Sequence, residues 1–570
     1  MTSPGEEARP LIEAVEGLRA AVDGTRLPLD LVATAGAGRT RQALLDQLDD
    51  YVLPRLGSLD APLLAVIGGS TGAGKSTLVN SVIGTAVSAA GVIRPTTTSP
   101  VLVHNPADGT WFADRRVLPR LARVTGPAVA QAHPGAVRLV SSPELPAGMA
   151  LLDAPDIDSV VHANRALAEQ LLQAADLWLF VTTAARYADA VPWSLLRQAS
   201  ERGTAVAIVL DRVDPETIDE VRPHLVGMLR EQGLGTAPVF TVPETTLTPD
   251  GILPESAIGR LRAWLDALAG DLRARSIIVA QTLRGALSSL DGRARELADA
   301  VRVQGEAVAS LEAATATAYE RARDEVAHGM NDGTLLRGEV LARWQELVGT
   351  GEFFRKVEAR ISTMRDHVTA AVKGEPPATA NVGEALESGV SALIRAHAEG
   401  AAADVARTWR RLPGGEQVLA AAPDLARPAP DLPARIERSV RDWQGDLLEL
   451  IRQESGSRRT NARIAAYGVN GIGLLLMLLV FSHTGGLSGA EVGIAGGTSV
   501  IAQKVLEAIF GDQAVREMAD KARTLLVVRV DDLYAAEQRR HDEALARLAL
   551  APEQVQRLEA AIARIREADR

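Results

Sequence analysis

Residues 63–77 read LLAVIGGSTGAGKST, an apolar run followed by a glycine-rich loop that ends in Lys-Ser-Thr. The part from Gly69 to Ser76 matches G-x-x-x-x-G-K-[ST], in which backbone N–H groups surround phosphates while the lysine and hydroxyl face the terminal phosphates and Mg²⁺. Residues 63–67 are apolar enough for a buried strand, and residues 78–83 continue as a helix whose N-terminus favours anions. The residues that this pattern assigns to a phosphate chain are Gly69, Ser70, Thr71, Gly72, Ala73, Gly74, Lys75, Ser76 and Thr77.

Lysine is rare in this chain, and one lysine lies in that loop. Of 61 basic residues, the only lysines are Lys75, Lys356, Lys373, Lys504 and Lys521. A compact ammonium fits between phosphates where a planar guanidinium does not. Lys75 is therefore predicted to contact the phosphates directly.

The bulk composition limits the classes of function. A chain of 570 residues is long enough for two or three domains. The net charge of −11, without a dense basic run, argues against nucleic acid as the main partner. Cysteine is absent, which excludes disulfides and thiolate metal sites and agrees with a reducing cytoplasm. The first residues do not resemble a secretion signal, so we expect a cytoplasmic protein.

From residue 61 to about 270, short apolar runs alternate with helical stretches, which is typical of a doubly wound α/β domain with a mostly parallel sheet. In such sheets ligands bind at the carboxyl ends of the strands. The predicted strands are residues 63–67, 101–104, 137–140, 150–152, 177–181, 205–210 and 238–241.

Two further motifs are candidates for holding Mg²⁺. The first is RPTTT at 94–98, where a hydroxyl of Thr96, Thr97 or Thr98 could reach the ion once a γ-phosphate is bound, although such a run is also ordinary loop chemistry. The second is LLDAPDI at 151–157, where Asp153 ends an apolar strand and could hold Mg²⁺ through water. The alternative for Asp153 is a simple strand-end turn, in which Asp and Pro are common.

The segment VLDRVD at 209–214 lies at another predicted strand end. A carboxylate at Asp214 could accept both N–H donors of a guanine edge, and the stem of Arg212 could lie along a purine ring. Asp-x-x-Asp is a weak pattern, and the alternative is that Asp214 caps a helix ahead of Pro215.

Taken in order and spacing, these four elements resemble the G domain of dynamin-like and Era-like GTPases, members of the P-loop class. The resemblance covers about 61–270 and implies GTP or GDP as ligand with Mg²⁺ as cofactor. It implies that Mg²⁺ is contacted by Ser76, by one threonine among 96–98, for which Thr97 is taken, and through water by Asp153. It also implies that the nucleotide contacts Arg212 and Asp214. The residues implied in hydrolysis are Lys75, Ser76, Thr96, Thr97 and Asp153.

The departures from that family's pattern concern hydrolysis more than binding. Asp156 stands where the family has a glycine; its backbone N–H can still face the nucleotide, but its carboxylate must either point away from the nucleotide or repel it. Ile157 stands where Ras-type enzymes have a glutamine that positions water, and Thr71 stands where dynamins have a catalytic glutamine. Asp211 cannot supply an amide donor. Two alternatives therefore remain open, namely a GTP-binding switch with little hydrolysis and a soluble Era-like assembly GTPase.

Beyond residue 270 the predicted strands stop and apolar residues recur at helical spacing. The predicted organisation has N-terminal helices at 1–60, the GTPase domain at 61–270, a helical stalk at 271–460, a hydrophobic hairpin at 461–512 and returning helices at 513–570. The expected fold class is therefore an α/β P-loop domain followed by a long all-α bundle.

The hairpin is the candidate membrane element. Residues 464–482 carry no charge over 19 residues, about the length of a bilayer core as a helix. Residues 492–510 are apolar again but include Gln503, Lys504 and Glu507, so only the first half could lie deep in lipid. Arginines flank the hairpin at both ends, which predicts that both ends face the cytoplasm. The alternative is a hairpin buried inside the bundle, because its glycines also suit tight helix contacts. By resemblance we expect membrane lipid as a partner through 464–510, and a homodimer or larger oligomer.

Overall fold

The computed structural model of the chain describes residues 4–88, 100–114, 117–126, 135–159, 162–331, 335, 343, 377–454, 469–481, 495–548, 550–551 and 553–569. The chain forms two compact units. The first comprises Met1–Leu27, Ala33–Val303 and Ala551–Arg570, and the second comprises Pro28–Val32 and Gln304–Leu550.

The first unit contains an eight-stranded sheet. Its strands are β1 Leu63–Gly69, β2 Val101–His104, β3 Ala122–Thr125, β4 Ala136–Ser141, β5 Met149–Asp153, β6 Leu177–Thr183, β7 Ala205–Val213 and β8 Val239–Pro243. Its helices are α1 Pro4–Asp23, α2 Ala37–Gln47, α3 Leu53–Leu56, α4 Lys75–Ile83, α5 Gly109–Ala113, α6 His162–Gln173, α7 Ala190–Glu201, α8 Ile218–Glu231 and α9 Glu255–Gly270. A π-helical turn, Leu48–Val52, joins α2 to α3.

The order of the strands places β1 near the centre of the sheet. The order is β3-β4-β2-β5-β1-β6-β7-β8, and every pairing is parallel except that of β2 with β5. Ile67 on β1 is in register with Asp153 on β5, so the phosphate loop and the predicted metal ligand lie at the same edge of the sheet. The predicted doubly wound α/β domain is confirmed, and β3 is the strand that sequence reasoning missed.

Both faces of the sheet are covered by helices, which explains why β1 is apolar without alternation. Leu64 and Val66 face a core that includes residues of α6, α7 and α8, whereas Leu63, Ala65 and Ile67 face a core that includes residues of α4 and α9. All seven residues of β1 are buried. The phosphate loop therefore follows a strand fixed on both sides.

The carboxylate of Asp176 links the N-terminal segment to the start of β1 through hydrogen bonds and an ion pair. Asp176, which is 2% exposed, accepts a hydrogen bond at Oδ2 from the Leu64 amide at 2.8 Å. Its Oδ1 accepts a bond from the Tyr51 hydroxyl at 3.2 Å and pairs with the Arg55 guanidinium at 3.2 Å. Burial raises the pKa of Asp176, and the charge of Arg55 opposes that rise. Removing Arg55 would leave a buried carboxylate without its cation.

The remaining helices extend the all-α part of the chain. They are α10 Leu272–Asn331, α11 Pro377–Trp409, α12 Gly415–Ala421, α13 Leu432–Gln453, α14 Val469–Val480, α15 Ala495–Phe510, α16 Asp512–Ala546 and α17 Gln554–Ala568. The division between the two units falls within the range of α10. In the first unit α17 packs on α1, and the predicted long helical region is confirmed.

The described part of the predicted hairpin is buried. Residues 472 and 474–481 are buried with no polar side chain among them, and α14 packs against α11, α13, α15 and α16. For these residues the structure has the arrangement of the alternative interpretation, a hydrophobic helix inside a bundle. No helix among the described residues is both long enough and apolar enough to cross a bilayer. Residues 464–468, 482 and 492–494 lie outside the described residues, and membrane contact stays a prediction.

Candidate functional site

The phosphate loop joins the end of β1 to the start of α4, and two of its glycines are required by close contacts. A Cβ on Gly69 would collide with the backbone oxygen of Val181 on the neighbouring strand β6. Gly74 has φ +94° immediately before the helix, and a Cβ there would collide with the Asp211 carboxylate. The pattern G-x-x-x-x-G thus has a steric cause in this chain.

Lys75 begins α4 and its ammonium lies inside the loop. The residue is 5% exposed. Its Nζ donates hydrogen bonds to the Gly69 carbonyl at 2.9 Å and the Ser70 carbonyl at 3.0 Å. The third partner is the carboxylate of Asp156. That Lys75 contacts phosphates stays a prediction, and the loop carbonyls and Asp156 are its partners in this structure.

Asp156 has the orientation in which its carboxylate would repel a nucleotide. The carboxylate points into the loop and forms an ion pair with Lys75. The cause of this orientation is the neighbouring ammonium of Lys75. An ammonium with 5% exposure requires anionic or carbonyl partners.

Ser76 and Asp153 are brought together as a potential metal-binding pair. Ser76 Oγ donates to Asp153 Oδ2 at 2.6 Å. Asp153 is fully buried, burial raises its pKa, and its Oδ1 has no hydrogen-bond partner within the described residues. An orphaned carboxylate oxygen beside a serine hydroxyl fits Mg²⁺, which takes one or two protein oxygens and completes its shell with phosphates and water. No cluster of three or more His, Asp or Glu suited to a metal occurs in the described part of the chain.

Ser88 is a member of this group that sequence reasoning missed. Its Oγ donates to the same Asp153 Oδ2 at 2.5 Å. Asn80 on α4 fixes the turn that presents it, because Asn80 Oδ1 accepts the Val87 and Ser88 amides at 2.9 and 2.8 Å. The sequence signal for this contact is weak. It consists of Asn80 on the inner face of α4, eight residues before Ser88. Thr96, Thr97 and Thr98 lie outside the described residues, so their role stays a prediction.

At the predicted base-reading end, Arg212 reaches back to the phosphate loop. Its guanidinium donates to the Gly72 carbonyl, and its backbone has φ +52°. Asp214 follows two residues later and is exposed, with Oδ1 accepting the Glu216 amide at 2.9 Å. That bond belongs to the turn before α8, whose N-cap residue is Thr217 and not Asp214, and the Asp214 side chain remains accessible to a ligand.

Asp211 lies under the loop at Gly74. It is 5% exposed, and its Oδ1 has no hydrogen-bond partner among the described residues. Burial raises the pKa of Asp211 to about 6, while the backbone N–H and charge of Arg212 act in the opposite direction. At neutral pH this carboxylate is ionised at a cost in stability.

Two more residues that sequence reasoning missed hold Thr71. Asp158 Oδ1 accepts the Thr71 amide at 2.5 Å and its hydroxyl at 2.7 Å. Arg186, after β6, donates to the Thr71 carbonyl at 3.0 Å and pairs with Asp158 at 3.3 Å. Burial would raise the pKa of Asp158, but the Thr71 bonds and the Arg186 charge outweigh burial and lower it. Ile157, between the two acids, is 2% exposed and packs in the core.

No protein-family model matches the sequence, and a comparison with curated proteins gives no match. Among solved structures, one is from an oligomerised bacterial dynamin pair described as a mechanism for long-range sensing and tethering of membranes. It shares 10% identity over 98% of this chain and 95% of that chain, with a TM-score of 0.49. Toc33 from Arabidopsis thaliana, in complex with Mg²⁺ and GMPPNP, shares 17% identity over 42% of this chain and 97% of its own, with a TM-score of 0.24. The bacterial dynamin GTPase LeoA from ETEC shares 12% identity over 100% of this chain and 99% of its own, with a TM-score of 0.23. The assignments that follow rest on the residues of this chain.

Proposed function

We propose that this chain is a dynamin-like GTPase, which binds guanine nucleotide with Mg²⁺ and hydrolyses GTP. The observation that carries the proposal is the Lys75 ammonium held inside a glycine loop beside the Ser76–Asp153 pair, at the carboxyl edge of a parallel sheet. These are a phosphate-binding cation and two oxygen ligands for a divalent ion, on neighbouring elements.

Each residue has a separable task in the proposed reaction. The loop amides and Lys75 hold and orient the phosphate chain, since phosphoryl transfer depends on positioning and on neutralising charge. Ser76, Asp153 and Thr97 would hold Mg²⁺, which supplies further neutralisation at the terminal phosphates. Ser88 keeps the Asp153 carboxylate in place through its bond to Oδ2. Thr96 is proposed to act beside Thr97 in the same loop.

A second candidate function is a nucleotide switch with little hydrolysis. The observations that favour it are the burial of Ile157 where a water-positioning side chain is expected, and the engagement of Thr71 by Asp158. Single-turnover hydrolysis of GTP distinguishes the two functions. A rate stimulated by protein concentration or vesicles supports the GTPase, whereas tight binding without turnover supports the switch.

We propose that nucleotide state is coupled to the helical region and to membrane association through 464–510, with self-association of the chain. The uncharged run and its flanking arginines support this proposal. Because residues 472 and 474–481 are buried against other helices, lipid contact there requires those helices to separate. Flotation with anionic phospholipid vesicles tests the proposal, and an unchanged distribution with and without GTP contradicts the coupling.

Guanine selectivity gives a specific prediction at Asp214. Replacing Asp214 by Ala is expected to reduce the preference for GTP over ATP roughly 10- to 100-fold, the discrimination that one bidentate base contact provides. Competition of ATP against bound fluorescent GTP measures the preference. Glu216→Ala is the matched control, because it removes an exposed carboxylate from the same turn and retains the amide that bonds Asp214. If ATP displaces GTP from the wild type with equal strength, the base-reading assignment is wrong.

A further inference from the structure

The segment that follows β5 places two carboxylates on donor groups that the loop pattern assigns to phosphates. The Asp156 carboxylate forms an ion pair with the Lys75 ammonium, and Asp158 Oδ1 accepts a hydrogen bond from the Thr71 amide at 2.5 Å. Both donors are thus already bonded to anions of the chain itself. A nucleotide and this segment compete for the same groups.

The competition is sharpest at Lys75. An ammonium has three N–H donors, and here their acceptors are the Gly69 carbonyl, the Ser70 carbonyl and the Asp156 carboxylate. The two carbonyls are fixed by the backbone of the loop, whereas Asp156 bonds through a side chain that can rotate. Asp156 is also the only anion of the three. A phosphate that reaches Nζ therefore has to displace Asp156.

The position of Asp156 indicates which phosphate it excludes. It lies three residues after Asp153, whose carboxylate with Ser76 forms the pair proposed for Mg²⁺ at the terminal phosphates. Asp158 anchors the same segment at Thr71, and its pairing with Arg186 at 3.3 Å holds it there. The Asp156 carboxylate thus lies at the terminal end of the phosphate site. A diphosphate has no group to place there, while a triphosphate does.

We infer that Asp156 is a specificity-determining residue that favours a nucleoside diphosphate over a triphosphate, because its carboxylate takes the place of the γ-phosphate on Lys75. This inference rests on the proposed nucleotide-binding function and adds to it the determinant of phosphate number. The triphosphate binds only when the segment 156–158 moves off the loop.

The test compares two ligands on the full chain. Calorimetric titration in Mg²⁺ gives the affinities for GDP and for a non-hydrolysable GTP analogue. Asp156→Asn keeps the shape of the side chain and removes its charge, and Asp156→Gly removes the side chain altogether. Both variants are expected to raise the affinity for the GTP analogue relative to GDP by about 10- to 100-fold, the range for one charged hydrogen bond. Asp60→Asn is the matched control. It removes the charge of an exposed aspartate that precedes β1, whereas the phosphate loop follows β1.

Each outcome separates the inference from the proposed function. If the wild type binds both nucleotides and the ratio does not change in either Asp156 variant, the inference is overturned and the binding function stands. An equal gain for both ligands, or the same gain in Asp60→Asn, also overturns it. If only the Asp156 variants bind the triphosphate, the inference is supported in its strongest form. Absence of binding to every protein refutes both.

Discussion

Lys75→Ala is expected to weaken nucleotide binding at least about 100-fold, because the variant loses the only cation that the loop directs at the phosphates. The ammonium lies inside the loop, with 5% exposure, so water cannot substitute for it without cost. Lys75→Arg is expected to fail as well, since a planar guanidinium does not fit between the two loop carbonyls at 2.9 and 3.0 Å. Calorimetry with a non-hydrolysable GTP analogue and Mg²⁺ measures the loss.

Lys521→Ala is the control for the loss of one lysine. Lys521 is exposed on α16, in the second unit, and its replacement is expected to leave nucleotide affinity unchanged. Circular dichroism of each variant shows whether the fold is retained, which matters because Lys75→Ala leaves two loop carbonyls and Asp156 without their donor. Retained affinity in a folded Lys75→Ala protein contradicts the phosphate role.

Asp211→Asn is expected to stabilise the protein by about 3 kcal/mol at pH 8 and hardly at all near pH 4. Burial raises the pKa of this carboxyl from 3.8 to about 6. Between those values the native state binds more protons than the unfolded state, so the stability of the wild type falls as pH rises through this window. A difference of about two between the two pKa values corresponds to about 3 kcal/mol above pH 6. The amide of Asn has no charge to bury.

Urea unfolding of wild type and Asp211→Asn at several pH values from 4 to 8 measures this difference. Arg212 and Glu244 are the charged neighbours that also act on the Asp211 pKa, and neither is changed in the variant. Asp60→Asn again serves as the control, because it makes the same substitution at an exposed position. A gain that does not vary with pH would mean that Asp211 titrates in the native state as it does in the unfolded chain.

Seven strands of the sheet could be predicted from the sequence because they are apolar runs, as expected of strands in a sheet covered by helices on both faces. The strand β3 was missed because it lies at the edge of the sheet, and its residues, ARVT, are partly or fully exposed. A short edge strand is stabilised by pairing with its neighbour, β4, and carries no continuous apolar signal.

At the site, the positions of residues in the loop and at the strand ends could be predicted from the sequence. Contacts between side chains from separate segments could not. The loop and Asp153 follow directly from β1 and β5. Asp158 and Arg186 join the site through long-range contacts that no spacing encodes, and Ser88 had only the weak signal of Asn80 eight residues earlier. The ion pair of Asp156 with Lys75 could not be predicted either, because the two residues are 81 positions apart in the chain. The hydrophobic run at 464–482 was ambiguous because lipid and a helical bundle select the same side chains.

The charge pairing at Asp176 has a consequence for how the nucleotide domain can be isolated. A recombinant fragment that starts at residue 61 would lack Tyr51 and Arg55, leaving Asp176 beneath the first residues of β1 with a single backbone donor, the Leu64 amide. The fragment would also lack the apolar residues of α1, α2 and α3 that share a core with α10, which leaves that apolar face without its cover. Expression trials that trim the chain at the motif boundary should therefore yield aggregated material, whereas fragments that retain the preceding helices should stay folded.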